Sequence, residues 1–450
     1  MPVSTKLGYG IGIFGPMLGW VAATQYLMYF YTDVAGIDPA RAGLIFMLGM
    51  VWDAISDPLI GTFADKTRTR WGKYRPYLLF GAVPFALSVF LVFTPYWGSE
   101  AGIFWFALIT CLLFRTGYTV VYMPYTAMIA RMTTSYDVRT SLTAVKTAFV
   151  FAGNLVVSFG FYSLVLFFGA GSEARGFPLA ALVIGLFGAI TTLICFAQTR
   201  EAPEDGETPA GQLAADRRSN LKALFRVFAD LAGNRAFLLL FFGVCLFGGF
   251  YGLELAMTAY FAKYWLGDAG HTRTIFTVQA LTSLASIPLW LWLAKVHSKT
   301  LVWVSGILLA TFGLVLVFLL RPTSVEALSA LYAVKNAGAT GFIMIFYAMT
   351  ADTVDWGEWV RGRRHEGVIF GAISFANKFS AGVATGVLGL TLSLIGFVAN
   401  ENPSAGVIDG MFVVGTLVPA IGFCLAALLM RWYPVTRDRH AQLIAEVEAR

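Results

Sequence analysis

The sequence predicts an all-α membrane protein built as two pseudo-symmetric six-helix bundles. Hydrophobic residues make up 58% of its 450 residues and charged residues only 13%, a balance far from that of soluble domains. Apolar segments of about 20 residues or more, long enough to cross the hydrocarbon core of a bilayer, recur along the whole chain. Runs of that length are typical of spanning helices and disfavour a β-barrel.

We predict about twelve transmembrane helices. In the first half they cover 8–32, 40–64, 77–97, 101–130, 141–169 and 177–199, and in the second half 236–266, 273–294, 301–320, 325–350, 367–397 and 408–432. The longest polar segment divides these helices equally, as in a transporter whose halves rock against each other around a central site. The predicted domains are a first bundle at 1–199, a cytoplasmic linker at 200–235, a second bundle at 236–432 and a cytoplasmic tail at 433–450.

Lysine and arginine concentrate in the loops of one side of this bundle. The basic loops are Lys66–Arg75, Arg131 with Arg139, Lys295 with Lys299, and Arg361–Arg364. Such residues mark cytoplasmic loops, so we expect both termini on the cytoplasmic side of a bacterial-type inner membrane. Topology accounts for the basic clusters, and we expect no nucleic-acid partner.

Cysteine and histidine spacings give no sign of an enzyme. The four cysteines and four histidines lie singly, without metal or redox spacing. The sequence also has no phosphate-binding loop and no recognisable nucleophile arrangement. We therefore predict a protein that is not an enzyme and has no resident cofactor.

Asp53 and Asp57 form the most informative pair of residues, because both lie inside an apolar segment. An ionised carboxylate is costly in lipid unless a cation or a substrate compensates it. Residues four apart lie on one face of a helix, about one turn from each other, and can share an ion. The pair is therefore predicted to bind the coupling cation, as a transported ion rather than a structural metal.

Five other charged side chains fall within predicted helices: Arg115, Lys146, Glu254, Lys335 and Lys378. Such residues usually face a cavity or one another, so internal salt bridges are the structural alternative. The four cations exceed the three carboxylates by one, which favours an anionic substrate. Arg115 either approaches the aspartate pair, which favours proton coupling, or faces substrate or pairs with Glu254, which leaves Na⁺ coupling open.

Two charged clusters on the basic side are predicted gates. Asp65, Arg70 and Lys73 follow the second helix, and Asp352, Asp355 and Glu358 fall in the predicted loop between helices 10 and 11. Charge-assisted hydrogen bonds between such groups can clamp helix ends and must break when a gate opens.

Four motifs in order resemble one known family. These are Lys6–Gly10, Tyr29–Gly36, Trp52–Pro58 with Arg70–Lys73, and Ala351–Glu358. They are similar to the glycoside-pentoside-hexuronide cation symporters, the group of the major facilitator superfamily that contains the melibiose permeases. The resemblance covers nearly the whole chain and implies the major facilitator fold.

The resemblance also implies roles for particular residues. Asp53 and Asp57 would coordinate Na⁺, Li⁺ or H⁺ with a hydroxyl oxygen from Thr119, and oxygen ligands suit a hard cation. Lys146 and Lys378 fall where the family carries basic residues near the sugar cavity. Tyr26, Tyr118 and Tyr122 offer aromatic and hydroxyl surfaces for a sugar, although interfacial packing would also explain them.

The chain departs from melibiose permeases at the sugar site. Phe14–Gly15 is followed by Pro16 and Met17, where melibiose permeases have a lysine and an aspartate. Tyr122 and Thr126 fall where those permeases have a second aspartate and a tryptophan. The loss of two carboxylates beside retained lysines, with Arg115 in addition, favours a hexuronide or another acidic glycoside.

The sequence therefore predicts cation-coupled symport of a glycoside by alternating access. The partners are a sugar, a coupling cation and membrane lipid, and we expect a functional monomer. A lysolipid carrier of the same superfamily is the alternative, and a polytopic membrane transferase is the rival from another class.

Overall fold

The computed structural model describes residues 1–133, 135–201, 231–362 and 366–435, together with Arg439, Gln442 and Glu446. Twelve helices in the described ranges are long and apolar enough to span a membrane, which confirms the predicted number. Most of the predicted linker, 202–230, and most of the tail lie outside the described residues.

The helices are numbered α1–α12 in chain order. The first half contains Val3–Val34 (α1), Pro39–Lys66 (α2), Arg75–Val92 (α3), Glu100–Met132 (α4), Tyr136–Gly169 (α5) and Glu173–Gln198 (α6). The second half contains Arg235–Trp265 (α7), His271–Val296 (α8), Lys299–Leu320 (α9), Val325–Arg361 (α10), Glu366–Leu394 (α11) and Ala405–Trp432 (α12).

Of the predicted helix ends, the one at 350 is wrong by the most: the segment from Ala351 to Glu358 is not a loop but belongs to the last part of α10. The helix ends at Arg361 and is capped by Gly362, whose φ of 67° is left-handed and whose N–H donates to the Glu358 carbonyl at 2.7 Å. The charges of this segment marked the end of the apolar core but not the end of the helix, because a helix can continue beyond the membrane.

The first helix of each half ends in a π-helical turn. The turn is Phe30–Val34 in α1 and Phe261–Trp265 in α7, so the two helices match in form as well as in order. Each turn carries a charged residue, Asp33 in α1 and Lys263 in α7. This correspondence agrees with two structurally repeated halves.

The halves meet along α2 with α11 and along α5 with α8. We name the two ends of the bundle by their residues: the Asp33 face carries Asp33, Lys263 and Asn400, and the basic face carries Lys66–Arg75. Toward the Asp33 face, α2 and α11 approach at glycines. A Cβ atom on Gly389 would lie 2.9 Å from the backbone nitrogen of Gly43.

Toward the basic face, the same two helices leave space. Gly61 lies one turn beyond Asp57 on α2, and Gly371 lies two turns from Lys378 on α11, on the corresponding helix faces. No atom of the described residues outside the glycine's own helix backbone lies within 4 Å of a Cβ placed at either glycine. The halves therefore converge at the Asp33 face and separate toward the basic face.

Candidate functional site: an ion-paired cavity between the halves

The two intramembrane aspartates lie where α2 faces both α4 and α11. Asp53 forms an ion pair with Arg115 of α4, and the two side chains are about nine-tenths buried. Gly49, one turn before Asp53, leaves room for the arginine, because a Cβ there would lie 2.8 Å from Arg115 Cδ. Of the predicted alternatives for Arg115, the structure selects the aspartate pair, and Glu254 pairs with Lys335 instead.

Asp57 forms the second ion pair, and this one joins the halves. Lys378 Nζ of α11 donates to Asp57 Oδ2 at 2.7 Å, and Thr119 of α4 donates its hydroxyl to Asp57 Oδ1 at 2.7 Å. The Asp57 and Lys378 side chains are 18% and 20% exposed, so the pair borders the open space rather than closed protein. Asp53, Asp57, Thr119, Arg115 and Lys378 thus form one cluster.

A row of tyrosines extends from this cluster. The Lys378 ammonium lies 5.9 Å from the Tyr118 ring, and Tyr118 stacks on Tyr122 at a centroid distance of 5.0 Å. The Lys146 ammonium lies 5.9 Å from the Tyr122 ring at the other end. Trp20 packs against Tyr118 with centroids 4.6 Å apart. The row offers aromatic faces to a ligand between two ammonium groups.

Lys146 differs from the other intramembrane cations. Arg115, Lys335 and Lys378 each pair with a carboxylate, whereas no such pair involves Lys146 among the described residues. Its contacts are the rings of Tyr122 and of Tyr125, the latter at 6.0 Å. Among the described intramembrane cations, Lys146 is therefore the one that corresponds to the excess positive charge indicated by the sequence.

Two predicted substrate residues have other surroundings. Tyr26 is 1% exposed and packs among Phe161, Tyr162 and Phe276, away from the tyrosine row. The half-buried Thr126 donates its hydroxyl to the Met123 carbonyl of its own helix at 2.9 Å. Neither residue joins the ion-paired cluster in this conformation.

The residues predicted as gates lie on the basic face, and their described contacts stay within each half. The backbone N–H of Lys73 donates to Glu201 at 2.8 Å, and the Arg70 guanidinium stacks on Trp71 at 4.3 Å. Asp352 accepts from Lys299 at 2.6 Å. Asp355 and Glu358 are half-buried on α10, and the side chain of Asp65 lies outside the described residues.

The Asp33 face holds a cross-half network that sequence reasoning missed. Lys263 donates to Asp33 Oδ1 at 2.6 Å, Tyr264 also donates to Asp33, and the Asn400 side chain donates to the Asp33 carbonyl at 2.8 Å. Thr32 and Tyr260 share a hydrogen bond of 2.8 Å. Thr32 and Asp33 lie in one of the four motifs, but nothing in the sequence indicated their partners.

Comparison with known proteins gives the family. The model of the family described as MFS/sugar transport protein matches residues 8–437. The chain is 31% identical to the isoprimeverose transporter of Lactiplantibacillus pentosus, over 100% of this chain and 92% of the relative. It is 28% identical to the glucuronide carrier protein homolog of Escherichia coli K12, over 99% and 95% of the two chains.

Solved structures give the same fold. The nucleoside transporter NupG superposes with a TM-score of 0.66 at 13% identity, over 96% of this chain and 100% of that one. A bacterial homolog of the human lysosomal transporter Spinster has a TM-score of 0.66 at 12% identity, over 99% and 97%. The predicted major facilitator fold is confirmed, and these matches are to transporters and not to enzymes. The chain belongs to the MFS/sugar transport protein family.

Proposed function

We propose that this member of the sugar transport family carries an acidic glycoside together with a proton, by alternating access. The observation on which the proposal rests is that both aspartates of the cation site already have a cationic side chain as partner. The open end of the cavity lies at the basic face, which we assign to the cytoplasm, with both termini on that side of an inner membrane.

The two ion pairs favour a proton over Na⁺. A sodium ion between Asp53 and Asp57 would have to displace the Arg115 guanidinium and the Lys378 ammonium, both already within hydrogen-bond distance of the carboxylates. A proton needs only one carboxylate oxygen. Protonation of Asp57 would remove the charge that holds Lys378, and with it an ionic contact between α2 and α11.

Lys146 and the tyrosine row favour an acidic glycoside. The ammonium has no carboxylate partner among the described residues, so a substrate carboxylate would compensate it and accept charge-assisted hydrogen bonds. Tyr118 and Tyr122 would pack against the apolar face of a sugar ring. A glucuronide carrier homolog and an isoprimeverose transporter among the relatives agree with a glycoside as substrate.

Coupling would follow from the position of Lys378 between the two sites. A proton on Asp57 would free Lys378 beside Tyr118, where it adds positive charge to the sugar site. Proton binding would then raise the affinity for an acidic sugar, and sugar binding would raise the proton affinity by the same factor.

The proposal can be tested with the purified protein in proteoliposomes. We expect counterflow of an acidic glycoside and its accumulation when the pH difference is imposed, with no further stimulation by Na⁺. Lys146→Gln should lose preference for the acidic over the matched neutral glycoside, and Lys146→Arg should retain it.

Two results would contradict the proposal. Stimulation of accumulation by Na⁺ in the wild type, at fixed pH, would replace the proton with sodium. Exchange of lysolipid without exchange of any glycoside would show that the substrate is a lysolipid and not a sugar.

A further inference from the structure

A further intramembrane ion pair lies in the second half of the protein, away from the cluster around Asp57. Glu254 of α7 accepts a hydrogen bond from Lys335 of α10 at 2.7 Å, and both side chains are completely buried. Lys335 also donates to the side-chain oxygen of Gln279 on α8 at 3.4 Å. Three helices of the second half therefore meet at one charged group.

The hydrogen bonding of this cluster is incomplete. Among the described residues, Glu254 Oε1 and Gln279 Nε2 have no hydrogen-bond partner although both are buried. Asn336, the next residue along α10, does find partners: it donates to the Gln279 carbonyl at 2.7 Å and to Ser283 at 2.5 Å. A buried polar atom without a partner is costly, and in a membrane protein an intramembrane carboxylate is usually functional.

The chemistry of the cluster suits a proton better than a metal ion. The Lys335 ammonium occupies the cation position next to Glu254, and the rings of Tyr251 and Tyr332 cover it at 5.0 and 5.3 Å. In the described part of the chain, Lys335, Tyr251 and Tyr332 are the titratable groups that face Glu254. No group of three metal-ligating side chains occurs among the described residues.

The residues around Glu254 lie along α7 and α8 from the contacts that close the Asp33 face. Tyr260, which bonds to Thr32 of the first half, is six residues from Glu254 on α7. Phe276, which packs on Tyr26 of the first half with centroids 5.5 Å apart, is one turn from Gln279 on α8. If the halves parted at the Asp33 face, the helices that bury Glu254 would lose these contacts.

We propose that Glu254 is a second proton-binding site, and that its oxygen Oε1 takes up a proton when the halves part at the Asp33 face. The proton adds to the carboxylate, the carboxyl group becomes neutral, and Lys335 keeps its charge and its bond to Gln279. Release of the same proton restores the ion pair. The coupling role of this proton rests on the proposed symport function, whereas its binding does not.

Proton binding can be measured without any sugar. Infrared difference spectra of the purified protein between neutral and mildly acidic pH should show the carbonyl band of a protonated carboxyl group. We expect Glu254→Gln to remove one such band and Asp57→Asn, the matched control, to keep it. An unchanged set of bands in Glu254→Gln would overturn the proposal.

Coupling is tested with a variant that keeps the cluster uncharged. Glu254→Gln combined with Lys335→Gln removes both charges together, so no unpaired charge is left in the protein interior. We expect the double variant to lose pH-driven accumulation to a greater extent than counterflow, and to carry fewer protons per sugar than the wild type. An unchanged proton-to-sugar ratio would show that the pair only supports the fold.

Failure of this inference and failure of the proposed function give different results. A wild type that exchanges no glycoside contradicts the proposed function but leaves the infrared test in force. If the wild type couples sugar to protons and the double variant has the same proton-to-sugar ratio, only the inference about Glu254 is contradicted.

Discussion

The two halves bury their charges in different ways. In the first half, Asp57 is 18% exposed and its partner Lys378 comes from the second half. In the second half, Glu254 and Lys335 are both 0% exposed and belong to the same half. Relative motion of the halves can therefore break the Asp57–Lys378 pair directly. The Glu254–Lys335 pair changes only when α7, α8 or α10 moves within its own half.

This difference separates an ion pair that relative motion of the halves breaks directly from one that such motion reaches only through the helices that enclose it. In a cross-half ion pair next to open space, the carboxylate can exchange its lysine partner for a proton when the halves move apart. A fully enclosed pair has already paid that cost, and removing one partner leaves an uncompensated charge. Each prediction below tests one side of this contrast, beginning with the largest expected effect.

Asp57→Asn should reduce gradient-driven accumulation of the glycoside to the equilibrium level. The amide cannot take up and release a proton, so the cross-half pair no longer responds to the pH difference. Accumulation and counterflow in proteoliposomes measure the two properties separately. Accumulation equal to that of the wild type would exclude Asp57 from the cation site.

Lys335→Met should lower the free energy of unfolding by about 3–5 kcal/mol, because Glu254 remains charged in a closed interior. Lys378→Met should cost less than Lys335→Met, since the Asp57 side chain is 18% exposed and can be hydrated from the open space. Thermal unfolding of the two variants in one detergent gives the comparison. Equal losses of stability would show that the two pairs are equally enclosed.

Gly389→Val should destabilise the conformation that is closed at the Asp33 face by about 1–3 kcal/mol, through overpacking. Its Cβ would lie 2.9 Å from the Gly43 backbone nitrogen. Gly371→Val is the matched control on the same helix, where a Cβ meets open space. Distances between spin labels across the Asp33 face should increase only in the Gly389 variant.

Asp33→Asn should shift the conformational equilibrium toward opening at the Asp33 face by about 1 kcal/mol. The amide keeps some hydrogen bonding to Tyr264 but loses the charge that binds Lys263, and a single bond to a charged group contributes modestly. The same spin-label distances measure this shift. A larger effect than that of Gly389→Val would show that the polar network, not the glycine contact, holds this face closed.

Much of the fold and part of the site could be predicted from the sequence. Apolar length predicted the helices, since the membrane sets how many residues must cross it. The spacing of Asp53 and Asp57 predicted one helix face, and the α-helical repeat places both residues toward α4 and α11. Helix length and the face that two residues share depend only on residues close together in the sequence, so both could be predicted.

Partners of charged residues could not be predicted in the same way. Lys378 is 321 residues from Asp57 along the chain, and Asn400 is 367 residues from Asp33. Contacts of that kind depend on how the two bundles approach each other, which no local pattern records. The same limit applies to Tyr26, whose type suits a sugar site but whose position on α1 buries it among aromatic rings.

The lysine without a carboxylate partner among the described residues, Lys146, determines the electrical balance of the proposed cycle. Lys146 stays in the protein and selects a monoanionic sugar. One proton transported with that sugar would balance the negative charge of the sugar. Such a cycle moves no net charge, so the membrane potential, which acts on each elementary charge transferred, would contribute nothing to it. A second proton on Glu254 would make the same cycle electrogenic, and uptake would then become dependent on voltage.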